Sequence, residues 1–463
     1  MNTHAESVNN PNRAKMALTC FIAALAGLLF GLDIGVISGA LPFIAKEYVV
    51  SDQVQEWIVS SMMFGAAVGA VLAGWLSWSL GRKYSLVLGA ILFVLGSVVC
   101  AIAWDPSILI VGRIILGLAV GVASFTAPLY LSEIAPYHIR GAMISLYQLM
   151  ITVGILLAFL SNTAFSYTGS WRWMLGVIAF PAIILLMGVL VLPRSPRWLM
   201  IRGREKEAID VLSRLRPNQE TVKKEIDEIR ESLKTKQEGF SLLLENRHFR
   251  RSVGLGILLQ IMQQLTGINV VLYYAPRIFE LAGYGSAQDQ LWGTVIVGAV
   301  NVLATFIAIA LVDRWGRKPI LYAGFIVMAA GLGMLGTFLH VGITSPVQQI
   351  IASATLLIFI VGFAMSAGPL IWVLCSEIQP TKGRDFGIAI STLTNWLANM
   401  LAGVTFLTLI NTIGGAYTFW GYAALNALFI IVTMYFVPET KNVSLEHIER
   451  NLMDGKPLRM LGK

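Results

Sequence analysis

The chain has 463 residues, 56% hydrophobic and 13% charged, with a mean hydropathy of +0.71 and a formal net charge of +8. These figures exclude a soluble globular protein of this length and match a polytopic helical membrane protein. The apolar stretches are long and continuous rather than alternating, which argues against an outer-membrane β-barrel. Three scattered cysteines, Cys20, Cys100 and Cys375, offer neither a disulfide framework nor metal-ligand spacing.

A polar start precedes a first apolar run that is too long for a cleaved signal peptide, so it reads as a retained first span. A span needs about 20 apolar residues. Twelve are expected, near 16–40, 56–78, 84–104, 107–131, 141–163, 172–192, 252–274, 291–312, 319–341, 348–374, 386–411 and 417–437. An even number puts both termini on one side. With the N-terminus inside, the outer loops and their edges hold Lys46, Arg172 and Arg277, and Arg113 lies within a span. The other 30 of the 34 Lys and Arg are inside. This bias places both termini in the cytoplasm of a multi-pass inner-membrane protein. It also accounts for the positive charge without a nucleic-acid partner; the lipid bilayer is the surrounding expected.

Span one contains "AGLLFGLDIGVISGALPF", residues 26–43, with Gly27, Gly31, Gly35 and Gly39 at every fourth place and one acid, Asp33. On a helical wheel the glycines fall within an arc of about 120° and Asp33 points about 180° from its centre. The glycines suit close helix contact. In span four, Arg113 is the one basic residue deep in the first half. Both residues lie seven positions from the outer end of their span, so both sit roughly 10 Å below it. Equal depth permits a salt bridge, and lone charges there would be costly. Asp33 is read as the binder of a transported proton with Arg113 lowering its pKa; the alternative is a static structural pair.

Three motifs occur twice. "LGRKYS" at 80–85 pairs with "WGRKPI" at 315–320, "SEIAPYHIRG" at 132–141 with "SEIQPTKGRDFG" at 376–387, and "PRSPRW" at 193–198 with "PETKNV" at 438–443. Each second copy follows six spans later on the same side, a parallel repeat of two six-helix halves. The division is 1–193, a charged linker 194–251, and 252–463 with a short tail. In the linker, Val222, Ile226, Ile229 and Leu233 recur at helical spacing, which predicts short amphipathic helices rather than a loose tether. Arg82, Lys83, Glu133 and Arg140, repeated as Arg317, Lys318, Glu377 and Arg384, read as ion pairs that hold an inner gate. The alternative is solvated anchoring charge, worth about 0–1 kcal/mol per exposed pair.

In span seven, Gln260, Gln263 and Gln264 lie within an arc of roughly 100°. Each amide can donate and accept, which suits a hydroxyl-rich ligand, although amides also bridge helices. Asn269 joins them only if the helix breaks at "TGIN", which Gly267 permits. "GLGMLG" at 331–336 lies inside a span with no strand before it and is a packing stripe. No nucleophile–base set or metal cluster is visible, so no enzyme, cofactor or metal is expected.

The doubled motifs, with "QQLTGIN", "GLDIGVISGALPFIA", "SAGPLIWVLCSEIQP" and "VDRWGRKP", resemble the sugar porter family of the major facilitator superfamily along essentially the whole chain. Within it the sequence is most similar to bacterial galactose–proton and arabinose–proton symporters. The resemblance implies a twelve-helix all-α membrane fold and proton-coupled import of an aldohexose, D-galactose foremost and D-glucose next. Pentose symport and uncoupled sugar transport are the alternatives. It implies sugar contacts by Gln263, Gln264 and Asn269, and adds Gln148, Asn301, Trp372 and Asn395. It also implies a gating role for the cytoplasmic charges and a proton role for Asp33; a monomer is expected. One position departs: Arg194 stands where the family often has an acid. Gly368 and Pro369 are expected to break span ten.

Overall fold

The computed structural model describes residues 11–136, 139–234 and 239–463; the side chains of 11–14, 140–141 and 312–313 lie outside that description. Among the described residues all regular structure is helical. Twelve helical segments are long and apolar enough to cross a membrane. Spans one to six are Lys15–Tyr48, Asp52–Ser79, Arg82–Ala101, Pro106–Ile134, Ala142–Ser166 and Trp171–Val191. Spans seven to twelve are Arg247–Tyr273, Ala287–Leu311, Arg317–Val341, Pro346–Glu377, Thr381–Ile413 and Gly415–Phe436.

Helix boundaries follow local chemistry. Ser51 caps span two through the Val54 N–H, and Asp105 caps span four, whose first residue is Pro106. A full capping box of Ser345 and Gln348 opens span ten. Spans two and three are joined through Gly81 at φ +86°, and spans eight and nine through Gly316 at φ +92°. That left-handed turn is what the glycine of each "GRK" motif supplies.

Span one lies along span five, and span two along span four. The four glycines of span one face span five: Gly27 meets Tyr147, Gly31 Ile151, Gly35 Ala158 and Gly39 Asn162. Asn162 fastens the contact by donating from Nδ2 to the Gly35 carbonyl at 2.9 Å. Gly65 and Gly69 play the same part against Gly117 and Gly121. Small residues are what let helix backbones approach this closely in lipid. The two six-span groups meet mainly through span two against span eleven and span five against span eight.

The linker forms helices Pro196–Ile201, Glu205–Leu215, Gln219–Ser232 and Gly239–Glu245. Val222 and Ile226 are buried in a small core with Trp198, Leu199, Ala208 and Leu212. The fully buried Arg216 ties this layer to the bundle, with two bonds of 2.7 Å to Glu225 and one of 3.0 Å to the Ile134 carbonyl at the end of span four.

Spans seven and ten are both interrupted. Span seven stops at Leu265 and resumes as Ile268–Tyr273, pivoting on Gly267 at φ +95°. Span ten stops at Ala364 and resumes as Ala367–Glu377. The break is therefore at Met365–Ser366, not at Gly368–Pro369. Proline is tolerated in the first turn of a helix, where its missing N–H has no intrahelical partner to lose.

A side chain at Gly31 has no room, because its Cβ would overlap the Ile151 carbonyl. Gly31→Leu is expected to cost about 1–3 kcal/mol or more in packing, read as a lowered Tm or loss of monodisperse protein in detergent, whereas Gly74→Leu, at an open position, leaves Tm unchanged.

Candidate functional site

Two polar clusters lie inside the bundle. The first is a charge pair: Arg113 Nη1 stands 2.6 Å from Asp33 Oδ1, and neither side chain has any exposed surface. Arg113 Nε also donates to the Ile58 carbonyl at 3.4 Å. Asp33 Oδ2 and Arg113 Nη2 have no hydrogen-bond partner among the described residues. Asp33 thus turns away from the glycine face of span one and reaches span four, as the helical wheel and the matched depths require.

The second cluster is a chain of amides across spans seven, ten and eleven. Asn395 Nδ2 donates to Gln260 Oε1 at 2.6 Å and to Gln263 Oε1 at 2.8 Å. Gln263 Nε2 donates to the Ala367 and Gly368 carbonyls at 2.9 and 3.0 Å, which fixes it to the restart of span ten. Gln264 donates to Gln263, and Asn269 donates to Gln264 Oε1 at 2.5 Å. The break at Gly267 brings Asn269 onto the face of the glutamines, which a continuous helix would not do. Gln148, Asn301 and Trp372 are not part of this chain. Gln148 and Trp372 are half-buried and Asn301 is buried, and their side chains make no hydrogen bond among the described residues. Amides satisfied by one another can exchange those bonds for ligand hydroxyls.

The duplicated charges occupy matching corners. Arg82 forms two bonds to Glu133, at 2.9 and 2.8 Å, and Ser195 donates to the same carboxylate. Arg317 lies 2.9 Å from Glu377, which also accepts from Thr440. Both ion pairs lie within a single half. Each binds the start of one span to the end of another and does not itself join the two halves. The two lysines differ from the expectation of acid partners: Lys83 donates to the Leu190 carbonyl at 2.7 Å and Lys318 to the Met434 carbonyl at 3.1 Å. Helix ends leave carbonyls unsatisfied, and a lysine is the natural donor to them. Arg384 does not reach Glu377; it stands 3.5 Å from the Gln379 carbonyl. Arg140 opens its helix, and its side chain lies outside the described residues.

The departure at Arg194 has a structural counterpart. Glu439, at the corresponding place in the second half, accepts from the N–H groups of Arg317 and Lys318 at 3.0 and 2.9 Å and caps span nine. In the first half the Trp198 ring covers Gly81. Arg194 stacks over Tyr84 at 5.1 Å and Trp198 at 5.5 Å from the ring centroids. A cation–π contact thus stands where the other half uses a carboxylate.

Sequence reasoning missed the contacts that close the far side of the bundle, away from the linker. Glu56 of span two is buried and accepts from the Thr408 N–H at 2.7 Å and the Thr408 hydroxyl at 2.8 Å on span eleven. One turn farther out, Asp52 accepts from Asn411. Beside them a cavity of about 260 Å³ is lined by Ser38, Asp52, Gln55, Tyr273, Arg277 and Gln290, among others. An acid four residues into a helix looks interfacial in sequence, so nothing marked Glu56 as a bridge between halves.

A family profile described as "Sugar (and other) transporter" matches residues 19–452. The chain belongs to the sugar transporter family. It is 67% identical over 458 residues to the galactose-proton symporter of Escherichia coli strain K12, covering 99% of both chains. It is 57% identical to the arabinose-proton symporter of the same strain, covering 95% of this chain and 94% of that one. Among solved structures it is similar to the xylose transporter XylE of E. coli in a partially occluded inward open conformation. The TM-score is 0.82 at 33% identity, covering 93% of this chain and 100% of that one.

Glu56→Ala removes two bonds to a charged acceptor, each worth about 1.5–3 kcal/mol. The three native cysteines are buried, so a Ser38→Cys probe at the cavity reports its opening to a thiol reagent. Adding Glu56→Ala is expected to speed that labelling by about a hundredfold or more; an unchanged rate means the Glu56–Thr408 contact does not hold the far side closed.

Proposed function

We propose that the protein is a proton-coupled sugar symporter that imports an aldohexose, D-galactose foremost and D-glucose as a second substrate, by alternating access. The observation that supports it best is the fully buried Asp33–Arg113 pair. This buried carboxylate has one oxygen unpartnered among the described residues and one guanidinium as its charge partner, and protonating it removes the attraction that makes its burial tolerable. Span one is already held in the bundle by its glycine face on span five, so its place does not depend on so costly a pair. Galactose over a pentose is supported by the greater identity to the galactose-proton symporter than to the arabinose-proton symporter.

In this reading residues 1–193 and 252–463 are the two halves that rock about the central amides, and 194–251 is the cytoplasmic layer beneath them. Gln263, Gln264, Asn269 and Asn395 bind sugar hydroxyls, joined by Gln148 and Asn301. Trp372 packs its ring on the apolar C–H face of the sugar. Asp33 takes the proton and Arg113 sets its charge state. The pairs Arg82–Glu133 and Arg317–Glu377, with Lys83, Arg140, Lys318 and Arg384, brace the cytoplasmic corners that part when the inner side opens. Both termini are cytoplasmic, the far side is periplasmic, and the protein works as a monomer in the inner membrane without a cofactor.

The test is uptake by proteoliposomes under an imposed proton gradient with a panel of labelled hexoses and pentoses. D-Galactose is expected to accumulate and to alkalinise the medium as it enters. Asp33→Asn is expected to abolish accumulation while sugar counterflow stays within about tenfold of wild type. Accumulation by Asp33→Asn overturns the proton role, and sugar entry without alkalinisation overturns symport in favour of uncoupled transport.

A further inference from the structure

Tyr273 is fully buried at the end of the short helix Ile268–Tyr273, which packs against span one. It stands at the meeting of the two polar clusters. Asn269, one turn earlier on the same short helix, belongs to the amide chain through Gln264. Asn399 of span eleven, one turn beyond Asn395, donates from Nδ2 to the Tyr273 hydroxyl at 3.1 Å. The same short helix lies against span one, which carries Asp33 and its partner bond to Arg113. Tyr273 also lines the far-side cavity together with Ser38, five residues beyond Asp33 on span one.

The hydrogen bonds around Tyr273 are incomplete in a consistent way. Its hydroxyl accepts from Asn399, and its own O–H has no acceptor among the described residues. Asn399 Oδ1 has no partner, and neither has Asp33 Oδ2. Buried polar atoms left open are costly, and a site that must accommodate two charge states has reason to keep them open. With Asp33 ionised, a nearby phenol O–H is attracted to the carboxylate. With Asp33 protonated, that attraction is lost and the phenol is free to turn to the open oxygen of Asn399. Either change acts on the helix that carries Asn269.

We propose that Tyr273 is the positioning residue through which the charge state of Asp33 reaches the sugar-binding amides, so that its hydroxyl couples proton to sugar without touching either. The proposal rests on the symport reading above. The other groups in electrostatic reach of Asp33 are Arg113 on span four and Cys100 on span three. The Cys100 thiol already donates to the Leu109 carbonyl at 4.0 Å and the guanidinium does not change charge, which leaves Tyr273, whose O–H has no acceptor among the described residues, as the group able to respond by reorienting.

Tyr273→Phe removes only the hydroxyl. In the wild type, sugar affinity measured by calorimetry at mildly acidic and at mildly alkaline pH is expected to differ by about fivefold or more. In Tyr273→Phe that difference is expected to fall below about twofold, with affinity at the tighter pH and counterflow rate kept within about threefold. Accumulation under a proton gradient is expected to be lost. Asn399→Ala is expected to give the same flattened profile, and the double variant to be no worse than either single one, because both act through one contact. A Tyr273→Phe protein that keeps the wild-type pH dependence and accumulation overturns the coupling role. So does one that loses binding equally at every pH, which makes Tyr273 part of the sugar site instead. If the wild type itself shows no pH-dependent affinity and no gradient-driven uptake, the symport reading fails first; a wild type that passes and a variant that matches it sinks the coupling alone.

Discussion

A charge pair with no exposed atom constrains everything built around it. Asp33 and Arg113 are each fully buried, and leaving either without the other would cost about 3–5 kcal/mol. Spans one and four must therefore hold a fixed height relative to each other whenever Asp33 is ionised. Span one gains the freedom to do so from its opposite face, where four glycines set it directly on the span-five backbone. The two devices divide the work. The glycine contact is apolar and indifferent to pH. The ion pair is strong in one protonation state and weak in the other, so proton binding can change the relation of spans one and four without unpacking spans one and five.

The two halves repeat a design but not every side chain. Glu133 and Glu377 each receive an arginine from the start of a span and a hydroxyl from the segment after the sixth span of the half, Ser195 or Thr440. Beyond that the corners differ. The second half places a carboxylate on the free N–H groups of span nine, which answers the positive end of the helix dipole. The first half sets Trp198 and the stacked Arg194 there. The first corner is therefore held by apolar area and cation–π contact, which change little with salt, and the second by charge, which salt screens where it is exposed. Two corners with unequal electrostatics respond unequally to the same medium, although their arginine–carboxylate pairs look alike.

Much of this was legible in the sequence where a single geometric rule sufficed. The glycine face of span one follows from spacing by four. The pairing of Asp33 with Arg113 follows from helix rise and from the lack of another deep basic residue in that half. The break at Gly267 was legible as a condition, since Asn269 lies off the arc of the glutamines and can join them only across a break. Illegible were contacts between residues far apart in sequence with no depth or spacing to match. Glu56 finds Thr408 across 352 positions, and Arg216 gains its buried place only because the linker folds back beneath span four. The site of the break in span ten was misread because proline marks a helix start as well as a stop. The lysines were misread because charge invites a charged partner, while a helix end offers carbonyls that no spacing rule reveals.

The interruptions in spans seven and ten matter beyond the side chains they orient. An unbroken helix is stiff along its length, so a shift at one end moves the other with it. Breaking span seven at Gly267 makes Ile268–Tyr273 a short lever with Asn269 near one end and Tyr273 at the other. Breaking span ten at Met365–Ser366 starts a separate helix at Ala367, whose first carbonyls, of Ala367 and Gly368, accept from Gln263. The amides are thus anchored to segments that can turn separately from the long helices on either side. In the proposed function, rearranging those segments would exchange amide–amide bonds for amide–ligand bonds at nearly constant number, so the two arrangements can lie within a few kcal/mol of each other. A charge change at Asp33 is worth energy on that same scale, so in the proposed symport a proton bound on span one would decide how tightly amides on spans seven and eleven are held.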